Sequence, residues 1–329
     1  MIEHLDLHPP EGEPLPKITL TIFHGAHGSV QDARAIEPVF RQCDIIIPEG
    51  LGWTPKHLTV ANAISVGELI PTTEAVGQLG IDLSKEGYER QLLKMVYGSH
   101  KPIAYIDYPA EDEEEVGNQR SVGRFIGMIP LWWVLSKSFE YKIESIKLNL
   151  EDFAQSDKKR EDYMISMLQP IIRRTIANNP SLSQKAQQEG QLNTLLILGA
   201  AHTAVSHSLE RQGFKVSREF SQKPFVYPYF VEGIRRYRFD KKVDNDLAAR
   251  IFIEVVIASL FRKELQNAFS ESIQDGKFTR GIVSRLSYQD IKTMSDQAPR
   301  GPFDSERLRQ SLLVQIHAKT PALNILLRE

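Results

Sequence analysis

The chain has 329 residues, 41% of them hydrophobic and 25% charged, with a formal net charge of −2 from 40 basic and 42 acidic side chains. These are ordinary globular proportions, sufficient for one large domain or two modest ones, and the charge balance argues against nucleic acid or an anionic membrane as a partner. Cys43 is the sole cysteine, which excludes an intrachain disulfide; beside an apolar strand it reads as a packing residue rather than a nucleophile.

Residues 1–17 form an acidic, proline-rich arm with neither the basic start nor the apolar stretch of a signal peptide, so the cytoplasm is the expected compartment. A strand is expected over Ile18–Phe23, then a His-Gly-rich turn over His24–Ser29 and a helix from Val30. Ser29 is placed to cap that helix, with Asp32 three residues on. Asp44–Pro48 reads as a strand buried on both faces. Strand, helix, strand is a βαβ unit, whose crossover makes the strands parallel.

Beyond it, a short helix is expected within Pro71–Leu79 and another over Tyr88–Tyr97. Pro102 opens a third strand, Ile103–Ile106, ending at Asp107. Glu111–Glu115 is a solvated acidic run, and Ser121–Lys137 an apolar helix. Its apolar core, Phe125–Leu135, is about half a bilayer span and reads as a core helix, not a membrane one. Tyr141–Leu150 has no clear type; Asp152–Ala177 is a long helix in which Pro170 predicts a kink. Asn178–Gln191 is polar and loop-like.

The opening pattern then returns. Thr194–Leu198 is a strand, Gly199-Ala-Ala-His202 a small-residue turn, Thr203–Gln212 a helix stopped by Gly213, and Phe214–Phe220 a strand. This is a weak repeat of one βαβ unit, and two such halves can face a shared cleft. The aromatic stretch Phe225–Phe230 and the basic cluster Arg235, Arg236, Arg238, Lys241 and Lys242 follow. That cluster is suited to a phosphate or carboxylate, with a solvated basic loop as the plainer reading. Leu247–Phe269 is a long helix with an apolar face, and the remainder is helical with no functional motif.

Three residues carry the chemistry. His27 leaves the end of the first strand, Glu49 the end of the second, and His202 the end of the strand in the second copy. The carboxyl edge of a parallel sheet is where α/β proteins place ligands, and histidine with a carboxylate there binds a metal or handles a proton. For Glu49 the plainer reading is an ion pair with Arg34 or Arg160. His24 and His207 read as structural, and Asp107 as either a cleft residue or a cap.

These motifs resemble the TraB, Tiki, erythromycin esterase and ChaN-like superfamily. His27-Gly28-Ser29 is similar to the erythromycin-esterase first turn, Glu49 in IIIPEG to the glutamate after the following strand, and Gly199-Ala200-Ala201-His202 to the second His turn. Arg160–Met164, REDYM, resembles the family's Arg-Asp-x-x-Met helix, with Glu161 where Asp is common. The chain departs from the pattern at His24, where Gly is usual, and lacks a glutamate three residues before His27. The resemblance spans roughly residues 18–220 and implies hydrolysis, with Mn²⁺ or a similar ion in Tiki-like members and haem binding in others.

The expectation is therefore an α/β fold with a mostly parallel sheet, two related βαβ halves sharing a cleft, and a helical extension over 221–329. The expected activity is hydrolysis of a small-molecule or peptide substrate, with His27, Glu49, His202 and Arg160 as catalytic residues. His27, Glu49 and His202 are also the candidate ligands for Mn²⁺, Zn²⁺ or Fe²⁺. The alternative is a non-catalytic binder of haem or another small molecule, for which the same histidines and the aromatic stretch speak. Neither nucleic acid nor a membrane is expected as a partner, and the sequence leaves the oligomeric state open.

Overall fold

The structure, a computed structural model, describes residues 15–25, 30–77, 87–112, 114–117, 137–222, 227–261, 265, 272–298 and 305–319. The expected apolar helix 121–137 and the turn holding His27 therefore lie almost wholly outside the described residues, as do Phe225 and Val226 of the aromatic stretch. The chain divides into two compact units, one of residues 1–117 and 158–221, the other of residues 118–157 and 222–329.

The first unit is built on a parallel sheet of four strands, β1 (Lys17–Gly25), β2 (Ile45–Pro48), β3 (Gln191–Gly199) and β4 (Lys215–Phe220). Their order is β2-β3-β1-β4, so the fold is α/β as expected. The two βαβ units interleave rather than sit side by side. β1 passes through helix α1 (Val30–Gln42) to β2, stepping over β3; β3 passes through a later helix to β4, stepping over β1. The ladder runs from Lys17 opposite Gln191 to Gly25 opposite Gly199.

The two crossovers step in opposite directions, and right-handed connections must then place their helices on opposite faces. The cores confirm that placement. Ala33, Ile36 and Phe40 of α1 pack with Phe23, Ile46, Leu195 and Ile197. The same layer holds α2 (Pro55–Ser65), α3 (Thr73–Gly77) and α4 (Tyr88–Val96), through Ile64, Val76 and Leu93. The opposite face, Leu20, Ile22, Ile45, Ile47, Leu196 and Leu198, is covered by Met164 and Leu168 of α5 (Phe139–Ala177), by Leu182 of α6 (Pro180–Glu189), and by Val205 and Leu209 of α7 (Thr203–Arg211). Alternate residues of each strand serve alternate faces, as the pleat requires. β4 is one edge, and its Lys215, Arg218 and Glu219 keep it from pairing further.

Three segments differ from expectation. Ile103–Ile106 makes only an isolated parallel bridge, Ile103 to Ile46, because the ladder with β2 ends after two bonds: Ile46 N–H donates to Pro102 O and Ala104 N–H to Ile46 O, each at 3.0 Å. The polar stretch after Ala177 is the helix α6 and not a loop. Asn179 caps it, accepting from Leu182 N–H at 3.0 Å, Pro180 starts it, and Gly190 ends it at φ 64°. Last, α5 begins at Phe139, absorbing Tyr141–Leu150, and runs without a break through Pro170.

The second unit is helical in its described residues: the first part of α5, then α8 (Tyr229–Arg238), α9 (Asn245–Leu260), α10 (Ser272–Val283), α11 (Tyr288–Asp296) and α12 (Ser305–Lys319). α9 is buried on most sides, from Leu247 to Ile257, and forms the axis of a core shared with Phe139, Ile146, Leu150, Ile234, Leu286, Ile291 and Leu308. Gly233 lets α8 approach it, since a Cβ there would lie 2.9 Å from Ile251 Cδ1. No described helix is long and apolar enough to cross a membrane.

Candidate metal centre at the sheet edge

The interleaved topology puts β1 and β3 side by side at the centre, with their chains leaving in opposite directions. That is a topological switch point, where an α/β sheet opens a crevice at its carboxyl edge. Glu49 and His202 both emerge there. Glu49 follows β2 and continues its ladder, its N–H donating to Ile197 O at 2.9 Å. Its carboxylate turns to β3, where Oε2 accepts from Gly199 N–H at 2.8 Å. His202 ends the small-residue turn after β3 and caps α7, and it is 4% exposed.

The helix α5 closes the crevice from one face. Its buried residues Ile143, Ile146, Leu150, Ala154, Asp157, Glu161, Met164 and Leu168 recur at spacings of three and four, a single helical stripe. The stripe is apolar at both ends and acidic in the middle. The division into units falls in that middle, between Asp157 and Lys158, inside one continuous helix. Asp157 and Glu161, one turn apart, are 3% and 0% exposed.

Asp157, Glu161 and His202 form the candidate centre. Each offers one ligand atom, and these atoms all lie within 4.8 Å of one another. His202 Nδ1 is 3.3 Å from Glu161 Oε1. Ligands about 2.1 Å from a tetrahedral ion stand about 3.4 Å apart, so this edge already has the spacing of a metal's coordination shell. The other ring nitrogen, Nε2, lies 3.5 Å from Glu49 Oε2. A carboxylate on the far nitrogen of a ligating histidine fixes its tautomer and aims its ring. The donor set, one imidazole with two carboxylates, fits a divalent ion such as Mn²⁺, Fe²⁺ or Zn²⁺.

Arg160 is held beside this group. Its Nε donates to Asp107 Oδ1 and Oδ2 at 3.0 and 3.1 Å, and its Nη2 donates to Oδ2 as well. Nη2 is also 3.9 Å from Glu49 Oε1, and Nη1 is 3.5 Å from His202 Nε2. Asp107 is fixed in turn, since its Oδ1 accepts from Tyr108 N–H at 2.9 Å. The side chains of Arg160 and Glu49 are 14% and 18% exposed, whereas that of Asp107 is fully enclosed. Solvent thus reaches the group from the Arg160 and Glu49 side.

Of the residues singled out from sequence, Glu49, His202 and Arg160 come together here, and Asp107 joins them. Arg160, not the exposed Arg34, is the arginine at Glu49. His27 lies outside the described residues. His24 is buried, its Nε2 3.1 Å from Ser206 Oγ and its ring stacked on Phe220 at 5.0 Å, a packing role. His207 lies beside Glu210 and Arg218 on the outer side of α7. Cys43 is buried, and burial pushes its thiol up to about 11, which makes it inert. Asp157 and Glu161 went unrecognised as ligands; the signal for them was the acidic interruption of the α5 stripe, where a solvated helix would have turned its carboxylates outward.

Comparison of the chain with protein-family models, with curated proteins and with solved structures finds no match.

Proposed function

We propose that the chain is a divalent-metal-dependent hydrolase, with Asp157, Glu161 and His202 as the metal ligands. The observation that supports this most directly is the set of three buried ligand atoms within 4.8 Å of one another at the carboxyl edge of the sheet. A divalent ion bound there would supply a hydroxide near neutral pH and polarise a carbonyl or phosphoryl oxygen. The chain's own residues have three further tasks. Glu49 orients His202 and, being partly open to solvent, is the nearest carboxylate to accept a proton from incoming water. Arg160, locked on Asp107, fixes a positive charge beside the site that would stabilise an oxyanion. Asp107 keeps that guanidinium in place. The substrate class is an ester or peptide, in keeping with the superfamily resemblance.

The test is metal binding followed by activity. Protein stripped with chelator and titrated with Mn²⁺ and Zn²⁺ should bind one ion, and Glu161→Gln should weaken that binding by about a hundredfold or more. Hydrolysis of an ester and peptide panel should return with metal. A protein that binds no divalent ion, or that binds it equally well without Glu161, defeats the proposal. A Soret band on haem addition that His202→Ala removes would favour the haem-binding alternative.

A further inference from the structure

The segment that carries Asp107 leaves the sheet after Ala104, where its short ladder with β2 ends. Beyond that point its backbone is tied to the loop that follows Glu49. Gly52 N–H donates to Tyr108 O at 2.8 Å, and the Trp53 indole Nε1 donates to Asp107 O at 2.7 Å. Trp53 O accepts in turn from Ala110 N–H at 2.7 Å, beside a parallel bridge between Trp53 and Pro109. We propose, on the reading of the site as a hydrolase, that Trp53 is a positioning residue: it fixes Asp107, and through Asp107 the Arg160 guanidinium, relative to Glu49 and His202.

The indole is held by its face as well as by its nitrogen. Its ring stacks with Tyr105, the centroids 5.8 Å apart and the planes at 22°. Tyr105 packs in turn against Gly50, where a Cβ would lie 2.6 Å from Tyr105 Cδ1. The loop therefore closes onto the Tyr105 ring in the residue directly after Glu49, and that approach requires glycine. Gly52, at φ 78°, then turns the chain in a conformation that also favours glycine. Past this turn, the Gly52 N–H and the Trp53 indole address consecutive carbonyls, Tyr108 O and Asp107 O.

Two carboxylates beside the metal centre thus leave from segments that Trp53 joins. Glu49 Oε2 lies 3.5 Å from His202 Nε2, and the Asp107 oxygens accept from Arg160 Nε at 3.0 and 3.1 Å. Asp107 is bound at both ends, its carbonyl by Trp53 and its carboxylate by Arg160 and by Tyr108 N–H. A carboxylate whose own backbone is free to shift carries its partner with it; one bound at both ends does not. Tryptophan suits this task because it offers a flat apolar ring for stacking and a single N–H that only donates. Phenylalanine keeps the ring and loses the donor. Charge placed at a developing oxyanion acts only from the right position, and a displacement of about 1 Å can cost up to about a hundredfold in rate.

Trp53→Phe in the full chain, loaded with Mn²⁺, tests the role. Its kcat on the ester and peptide panel should fall by at least about tenfold, while KM and Mn²⁺ affinity stay within about threefold. In an Arg160→Lys background the same change should cost less than about twofold, since the group it positions is gone. The Arg160 Nε–H, assigned by nuclear magnetic resonance as the signal that Arg160→Lys removes, should exchange with solvent at least about tenfold faster in Trp53→Phe, a readout that needs no substrate. If Trp53→Phe fails to fold, benzothienylalanine at position 53, an indole isostere with sulfur in place of the N–H, takes its place in each measurement. Unchanged kcat, unchanged Nε–H exchange, or an equal fractional loss with and without Arg160 overturns the positioning role alone. Wild-type protein that takes up Mn²⁺ and hydrolyses nothing in the panel overturns the hydrolase reading, and the role with it.

Discussion

The sheet edge and the helical core bury ionisable groups in opposite ways. At the sheet edge, Asp107, Asp157, Glu161 and His202 are buried close together, with Arg160 and Glu49 beside them. In the helical core, Lys142 and Glu254 are buried on different helices: Lys142 donates to Ser295 Oγ at 2.8 Å and lies 5.5 Å from the centre of the Phe252 ring, and Glu254 Oε2 accepts from Tyr229 N–H at 2.7 Å. A buried charge outside such a group is handled by hydrogen bonds or by losing its ionisation. A concentrated set is costly to assemble, so its presence at a switch point is the mark of a site, while the dispersed groups mark structure. This contrast can be broken by experiment at three points.

The largest effect is expected at Asp107. Replacing it with Ala leaves the Arg160 guanidinium without the carboxylate that holds it at 3.0 and 3.1 Å, in a place where its side chain is 14% exposed. Loss of one partner from a buried pair costs about 3–5 kcal/mol. Denaturant unfolding of Asp107→Ala should show that loss. A change below about 1 kcal/mol would mean that water or another group satisfies Arg160, and that the sheet-edge charges are less interdependent than their geometry indicates.

The next effect belongs to the helical unit and depends on pH. Glu254 caps the start of α8 from α9, since Pro228 has no side chain to do so. Burial raises its pKa from 4.5 to about 7, and the hydrogen bond from Tyr229 N–H opposes the rise without cancelling it. The folded protein therefore holds this proton more tightly than the unfolded chain. The resulting stability is fully present below about pH 4.5 and is lost as pH rises through about 7, at most about 3 kcal/mol over the window. Other carboxylates act in the reverse direction, so the informative quantity is a difference. Wild type minus Glu254→Gln should fall between pH 4.5 and 7, and a flat difference would show that Glu254 is ionised throughout.

Much of this architecture was readable from sequence, and the omissions have physical causes. Both βαβ units were legible because buried parallel strands, Ile45–Ile47 and Leu195–Leu198, read as unbroken apolar runs bounded by turns. Their interleaving was not, since strand order depends on which neighbour each strand selects and leaves no local trace. α6 was missed because its polar composition hides a helix specified at its ends, by Asn179, Pro180 and Gly190. Glu49, Arg160 and His202 were legible through position and motif. Glu161 stood in the quoted REDYM segment, yet a charged residue in a helix reads by default as solvated. Only the apolar residues continuing at helical spacing on either side show that Asp157 and Glu161 face inward.

The smallest effect, and the sharpest discriminator, is expected at Glu49. Its carboxylate bridges Gly199 N–H at 2.8 Å and the His202 ring at 3.5 Å. Glu49→Gln keeps the shape, and the amide oxygen can still accept from Gly199. What it loses is the charge that holds His202 in one tautomer. If Glu49 positions the histidine, Mn²⁺ or Zn²⁺ affinity should fall about 10–100-fold, the usual consequence of removing a partner behind a metal ligand. Global stability should change by less than about 1 kcal/mol, because Arg160 remains bound to Asp107. If Glu49 instead serves chiefly as an ion-pair partner, the balance reverses, with stability falling by a few kcal/mol and metal affinity unaltered. The two measurements together separate the cases, for Arg160 lies 3.9 Å from Glu49 but in direct hydrogen-bond contact with Asp107, and that difference predicts that the histidine rather than the arginine registers the loss.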